Sequence, residues 1–253
     1  MAVRDLSVHL ASYEKKMEKL RRLVGGMLDS VINTVIVCGP SGIGKTYTIN
    51  NILQARSESD TAPIRFKTIT GKITARSFFD HLVENSTFDC VTFFDDADFI
   101  FHDPVCIGLL REASEKYGQR IINYRTAKNK GDDCVTFDGK IIVSTNLRIG
   151  SSPHLNAVKD RFHILNVEVT FLEKLGKIQE IATLNTHGYL GQKISVDANR
   201  EILTFLFEHQ HRIGEDKLSL RMFCKAQELY VAMPDSWRDY VEDMLLTPRL
   251  KGP

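Results

Sequence analysis

Two short stretches of this chain carry side chains whose types and spacing could do phosphate chemistry. The first is Gly39, Pro40, Ser41, Gly42, Ile43, Gly44, Lys45 and Thr46, which together fit G-x-x-x-x-G-K-[ST]. Glycines there let backbone N–H groups close around phosphate oxygens, the lysine reaches the terminal phosphates, and the hydroxyl is placed to ligate Mg²⁺. Gly39 through Thr46, with Tyr47 beside them, are therefore the expected binding residues for a nucleotide such as ATP. The second stretch is Asp95-Asp96, which ends the apolar run from Cys90 to Phe94. Ligands bind at the ends of parallel strands in open α/β sheets. Asp95 is expected to share the metal with Thr46, largely through water. Asp96 is expected to position and polarise an attacking water. The blander alternative is a solvated acidic loop, since Asp98 and Asp103 follow closely; Asp98 reads as a loop or capping residue.

These residues need particular elements around them. Thr34 to Cys38 is short, apolar and β-branched, and reads as a buried strand leading into the glycine-rich turn. A helix is expected from about 45 to 55, a second strand over 64–69, a helix over 74–83 and a third strand over 90–94. Asp103-Pro104 has the form of a helix start, with the stop expected near Gly118. Residues 121–124 and 134–137 read as hairpin arms, and Asp138-Gly139 turns the chain into a fourth core strand over 140–145. A fifth is expected over 162–167. Thr170 with Glu173 makes a capping box, after which only helices are expected, near 171–185, 198–210, 219–232 and 235–246. The N-terminal stretch carries a helical apolar stripe through Leu10, Tyr13, Met17, Leu20, Val24 and Leu28. The expected organisation is an N-terminal helix over 1–30, an α/β nucleotide-binding domain over 31–168 and an α-helical domain over 169–253.

Composition narrows the class. With 253 residues and 43% apolar side chains the chain can bury a core without staples. Lys and Arg total 33 against 32 Asp and Glu, which excludes a surface that is basic throughout but leaves room for a local basic patch. Five widely spaced cysteines offer no zinc motif; a reducing, cytoplasmic setting is the simplest expectation. The first eleven residues lack the apolar core of a signal peptide, and no run is long enough to span a bilayer, so no membrane partner is expected.

Later segments resemble the AAA+ ATPase superfamily. The run from Lys140 to Asn146 is similar to the sensor-1 strand, with Asn146 in the polar position beside the γ-phosphate. The segment from Ala157 to Phe162 is similar to the one that carries an arginine finger, here Arg161, and the segment from Ser219 to Ala226 to a sensor-2 helix, with Arg221. With the glycine-rich loop these motifs cover residues 34–230 in the family order, and the pattern around Phe94–Asp98 and Phe137–Asn146 looks most like AAA+ ATPases of phages and mobile elements. The resemblance implies a central parallel sheet flanked by helices and followed by a small helical lid. It also implies ATP hydrolysis with Mg²⁺, and catalytic roles for Lys45, Asp95, Asp96, Asn146, Arg161 and Arg221. Because AAA+ fingers act across a subunit interface, it further implies a homo-oligomer, a hexameric ring or a helical assembly. Members commonly carry Asp-Glu where this chain has Asp95-Asp96, so slow hydrolysis or a nucleotide-gated switch is an open alternative. From the residues alone, Asn146 could cap a loop, and Arg161 could pair with Asp160 or Glu168 on the surface.

For a polymer substrate, Lys72 follows the second strand with no aromatic neighbour, which leans toward nucleic acid. The hairpin tip with Arg125, Lys128 and Lys130 offers a second basic loop, with Tyr124 for stacking and Asp132 and Asp133 diluting the charge. A protein partner reached through the N-terminal helix and lid is the competing expectation. A small-molecule kinase shares the first motif but has no need of the Asn146, Arg161 and Arg221 series.

Overall fold

The computed structural model describes residues 5–29, 32–115, 118–124, 133–147, 161–184 and 194–246. In chain order the elements are α1 (Ser7–Leu28), β1 (Thr34–Cys38), α2 (Lys45–Ser57), β2 (Arg65–Thr70), α3 (Ala75–Glu84) and β3 (Cys90–Asp95). A 3₁₀ turn (Asp98–Phe101) leads to α4 (Pro104–Ala113), β4 (Ile121–Tyr124), β5 (Asp133–Thr136), β6 (Lys140–Thr145) and β7 (His163–Asn166). Among the described residues that follow are the helices α5 (Phe171–Thr183), α6 (Val196–Glu208), α7 (Leu220–Ala232) and α8 (Trp237–Leu245).

Two compact units result. One comprises residues 17–39 and 45–167, the other residues 1–16, 40–44 and 168–253. Helix α1 and the glycine-rich loop each contribute to both.

The first unit is an α/β layer structure, compatible with a P-loop-like fold, around a five-stranded sheet ordered β2-β3-β6-β1-β7. Every pairing in it is parallel. Strands β1, β3 and β6 are buried along their whole length, as central strands covered on both faces must be, and their sequences are near-continuous apolar runs. Edge strand β2 instead alternates, and its exposed Arg65 and Lys67 pair with Asp89 and Glu84. Charged side chains on an edge discourage pairing with another chain. Beneath the sheet, Phe78 of α3 meets Phe94 of β3 with ring centroids 4.6 Å apart. Asp103 caps α4, its carboxylate accepting from the Val105 N–H at 2.8 Å. The helix ends at Ala113, short of Gly118, with the Ser114 hydroxyl donating to the Arg111 carbonyl at 3.0 Å. The antiparallel pair β4–β5 is a separate two-stranded sheet.

In the second unit α5 to α8 pack around Leu175, Ile202, Phe205, Phe223, Trp237 and Val241. Trp237 packs edge-on against Phe205, with centroids 5.6 Å apart. The capping box forms: the Thr170 N–H donates to the Glu173 carboxylate at 2.8 Å and the Glu173 N–H donates to Thr170 Oγ1 at 3.3 Å. Among the described residues no helix is long and apolar enough to cross a membrane.

Candidate functional site

A parallel sheet brings the C-terminal ends of its strands to one edge. At that edge lie the end of β1, the start of α2 and the ends of the neighbours β3 and β6. Lys45, only 5% exposed, points its ammonium at the Gly39 carbonyl at 2.6 Å and at Asn146 Oδ1 at 3.4 Å. The Thr46 hydroxyl donates to Asp95 Oδ1 at 2.8 Å, and Ser144 donates to the same oxygen at 2.6 Å. The Asn146 side-chain amide donates to the Asp96 carboxylate. One amide thus joins Lys45 to Asp96, with its oxygen toward the cation and its nitrogen toward the anion.

The residues after β3 are stitched to the end of β6 one after another. The Asp96 N–H donates to Ser144 Oγ at 3.3 Å and the Ala97 N–H to the Ser144 carbonyl at 2.9 Å. Asp98 accepts from the Thr145 hydroxyl and, at 3.0 Å, from the Asn146 N–H. Although it opens a 3₁₀ turn, its carboxylate serves β6, which the expectation of a loop or capping residue did not include. Asp96 has φ 54°, the left-handed region, and its side chain is exposed.

Burial pulls the Lys45 ammonium below its ordinary pKa, opposed by the nearby Asp95 and Asp96 carboxylates, with Cys38 and Asp98. Thr46 and Asp95 set two hard oxygen donors side by side, which suits Mg²⁺. Among the described residues no cluster of three or more His, Cys, Asp or Glu forms a metal cage.

Residues 40–44 of the loop are braced within the second unit. The Tyr13 hydroxyl donates to the Ile43 carbonyl at 2.9 Å, and the Leu220 N–H at the start of α7 donates to the Gly42 carbonyl at 2.8 Å. Gly42 has φ 70°, and a Cβ there would stand 2.7 Å from Ser219 Cβ, so only glycine fits. Arg221, exposed in the first turn of α7, has its Cβ 3.6 Å from that same point. Tyr47 is 73% exposed and, with Arg21, Gly25 and Asn51, lines a cleft of about 600 Å³.

Arg161 is not gathered with these groups. It precedes β7, whose Asn166 is level with Cys38, so it belongs to the opposite end of the strands, roughly 16 Å away at about 3.3 Å per residue. There it pairs with Glu115 at 3.2 Å. Lys72 is exposed just beyond β2, at the same edge as Asp95. Arg125, Lys128, Lys130, Asp132 and Asp160 lie outside the described residues. The arms on either side of that tip are anchored: Glu112 accepts from the Asn123 N–H at 2.8 Å, and Arg76 pairs with Asp133 and lies over the rings of Phe79 and Tyr124.

Ser144, Thr145 and Tyr13 join the constellation unforeseen. The signal for the first two was present as two hydroxyls ending an apolar run, but only the adjacency of β3 and β6 gives them partners.

No family model matches the chain. It is similar to a protein of Enterobacteria phage T4, described as an uncharacterized 36.7 kDa protein in the nrdC-mobD intergenic region. The two are 25% identical over 238 residues, spanning 89% of this chain and 72% of the phage protein.

Proposed function

We propose that this chain is an AAA+ type P-loop ATPase that binds ATP with Mg²⁺ at the C-terminal edge of its sheet and hydrolyses it. The observation that carries the reading is the hydrogen-bonded set in which the loop's lysine and threonine meet Asn146 and Asp95. Lys45 exchanges its Gly39 carbonyl for phosphate oxygens, so that an already desolvated cation meets the growing charge. Thr46 and Asp95 would hold Mg²⁺, which neutralises phosphate charge when bound. Asp96 orients the attacking water and takes its proton, and Asn146 fixes the Asp96 carboxylate in place. Arg221 is assigned to the terminal phosphates on the resemblance of residues 219–226 to a sensor-2 helix. Arg161 lies too far from its own Lys45 to serve it and is assigned to a neighbouring subunit's site, which makes the active form a homo-oligomer, a ring or a helix of subunits.

The proposed polymer is nucleic acid. Lys72 at the same edge as the site and the basic sequence with Arg125, Lys128 and Lys130 support it, and similarity to a phage T4 protein is in keeping with a mobile-element context. A second reading, a slow nucleotide-gated switch, is favoured by one observation: the short Asp96 carboxylate is already engaged by Asn146.

Nucleotide binding by fluorescence anisotropy, with Mg²⁺-dependent phosphate release in the presence and absence of single-stranded DNA across a salt series, tests these readings together. Lys45→Ala is expected to weaken ATP binding about 10- to 100-fold, the loss of a charge-assisted contact. Binding that ignores Lys45 sinks the site. Binding without turnover selects the switch, and DNA without effect at low salt removes the nucleic-acid reading.

A further inference from the structure

We infer that Asp98 is a positioning residue for Asn146, setting the turn that carries the amide between Lys45 and Asp96; this deepens the proposed ATPase reading and rests on it. A single oxygen of Asp98 accepts both the Thr145 hydroxyl and the Asn146 N–H. Thr145 is fully buried, so its hydroxyl needs a partner. With its hydrogen given to Asp98, its lone pairs are free to accept the Leu147 N–H at 3.1 Å. Asp98 therefore closes the turn 145–147 from one side while the parallel pairing of β6 ends on the other. Asn146 projects from that turn with both ends of its amide engaged. Without the Asp98 acceptor, two donors lose their partner and the turn is free to rotate the amide away. Asp98 acts through Asn146, the residue its carboxylate holds.

The geometry specifies which substitute should work. Both bonds fall on one oxygen, so an asparagine carbonyl can accept them and only the charge is lost. In the full chain, Asp98→Ala is expected to keep ATP affinity within about twofold and to lower turnover about 10- to 100-fold, the scale of a misplaced catalytic group. Asp98→Asn is expected to restore most of the turnover. The double variant Asp98→Ala, Asn146→Ala should be no slower than Asn146→Ala alone, because the two residues act as one unit. Should Asp98→Ala fail to fold, Thr145→Val removes one of the two anchors and is expected to lose turnover in the same direction. Native turnover in Asp98→Ala or Thr145→Val, no rescue by Asp98→Asn, or losses that multiply in the double variant would overturn the inference.

A nucleotide-free readout separates this from the ATPase reading. In amide NMR spectra, Asp98→Ala is expected to speed exchange of the Asn146 N–H and shift its side-chain amide signals, with Asp98→Asn returning both. Unchanged Asn146 signals reject the positioning role whatever the turnover, and a native chain that binds no ATP rejects the ATPase reading while the spectra still decide the role of Asp98.

Discussion

Asp96 holds a left-handed backbone that costs a non-glycine residue about 1–2 kcal/mol. A protein keeps such a residue where the side chain must point somewhere particular. Here the chain turns sharply out of β3, pinned by the Asp96 and Ala97 N–H groups on Ser144, and the carboxylate emerges exposed beside Asn146. Replacing Asp96 with asparagine keeps the shape, tolerates the left-handed backbone and removes the base. Asp96→Asn is expected to lower turnover about 10²- to 10⁴-fold with ATP affinity near native, measured as phosphate release against anisotropy. Equal losses in both would place Asp96 in nucleotide binding instead. The pair Asp95 and Asp96 was legible in the sequence because it directly ends a continuous apolar run. The work of Asp98 was not, since its partners Thr145 and Asn146 lie far along the chain and meet it only through sheet order.

At the scale of elements, the strand–loop–helix succession was readable from apolar runs and turn residues, and helix starts at Thr74, Asp103, Thr170 and Ser219 carry the caps their side chains promise. Helix ends were less readable, as α4 shows by stopping at Ala113 ahead of the glycine that marks a stop in the sequence. Strand order was hidden as well: it is set by which faces the crossover helices cover, which no local pattern encodes. Glu173 illustrates what one cap residue can carry. Its carboxylate closes the capping box of α5 and also accepts from Ser12 at 2.6 Å and Lys16 at 2.7 Å. Burial alone would raise its pKa, but the bonds from Lys16, Ser12 and the Thr170 N–H outweigh that and hold it below the ordinary glutamate value. The folded state therefore favours the ionised form, and its contribution is present above the ordinary glutamate pKa and lost as pH falls through the lowered one. Glu173→Gln is expected to cost about 1–2 kcal/mol near neutrality, from the weakened cap and buried ion pair. That difference should shrink as pH is taken down through the acidic range, read by denaturant melts of both proteins. A constant difference across that range would mean the charge is not what stabilises α5.

For the whole molecule, the separation of Arg161 from Lys45 has a direct consequence. One end of the strands carries the proposed nucleotide site and the other a guanidinium paired with Glu115. An exposed pair of this kind is worth at most about 1 kcal/mol, so Arg161 can exchange Glu115 for a phosphate without large cost. Arg161→Ala is expected to lower turnover about 10³- to 10⁵-fold while leaving ATP binding intact. Mixing it with Lys45→Ala, also inactive alone, should recover turnover, because a hybrid interface then holds one intact lysine facing one intact arginine. Absence of recovery, with mixed oligomers verified by mass, would confine each site to its own chain. Another feature bears on how such a molecule could diversify. Strands β3 and β6 are hydrogen-bonded neighbours, so α4 and the β4–β5 pair, which come after Asp98 and its turn, leave the sheet on a baseline one strand wide. Sequence grafted or exchanged within that excursion disturbs no register in the sheet. Evolution can therefore rewrite what the excursion touches while the chemistry at the strand ends stays as it was.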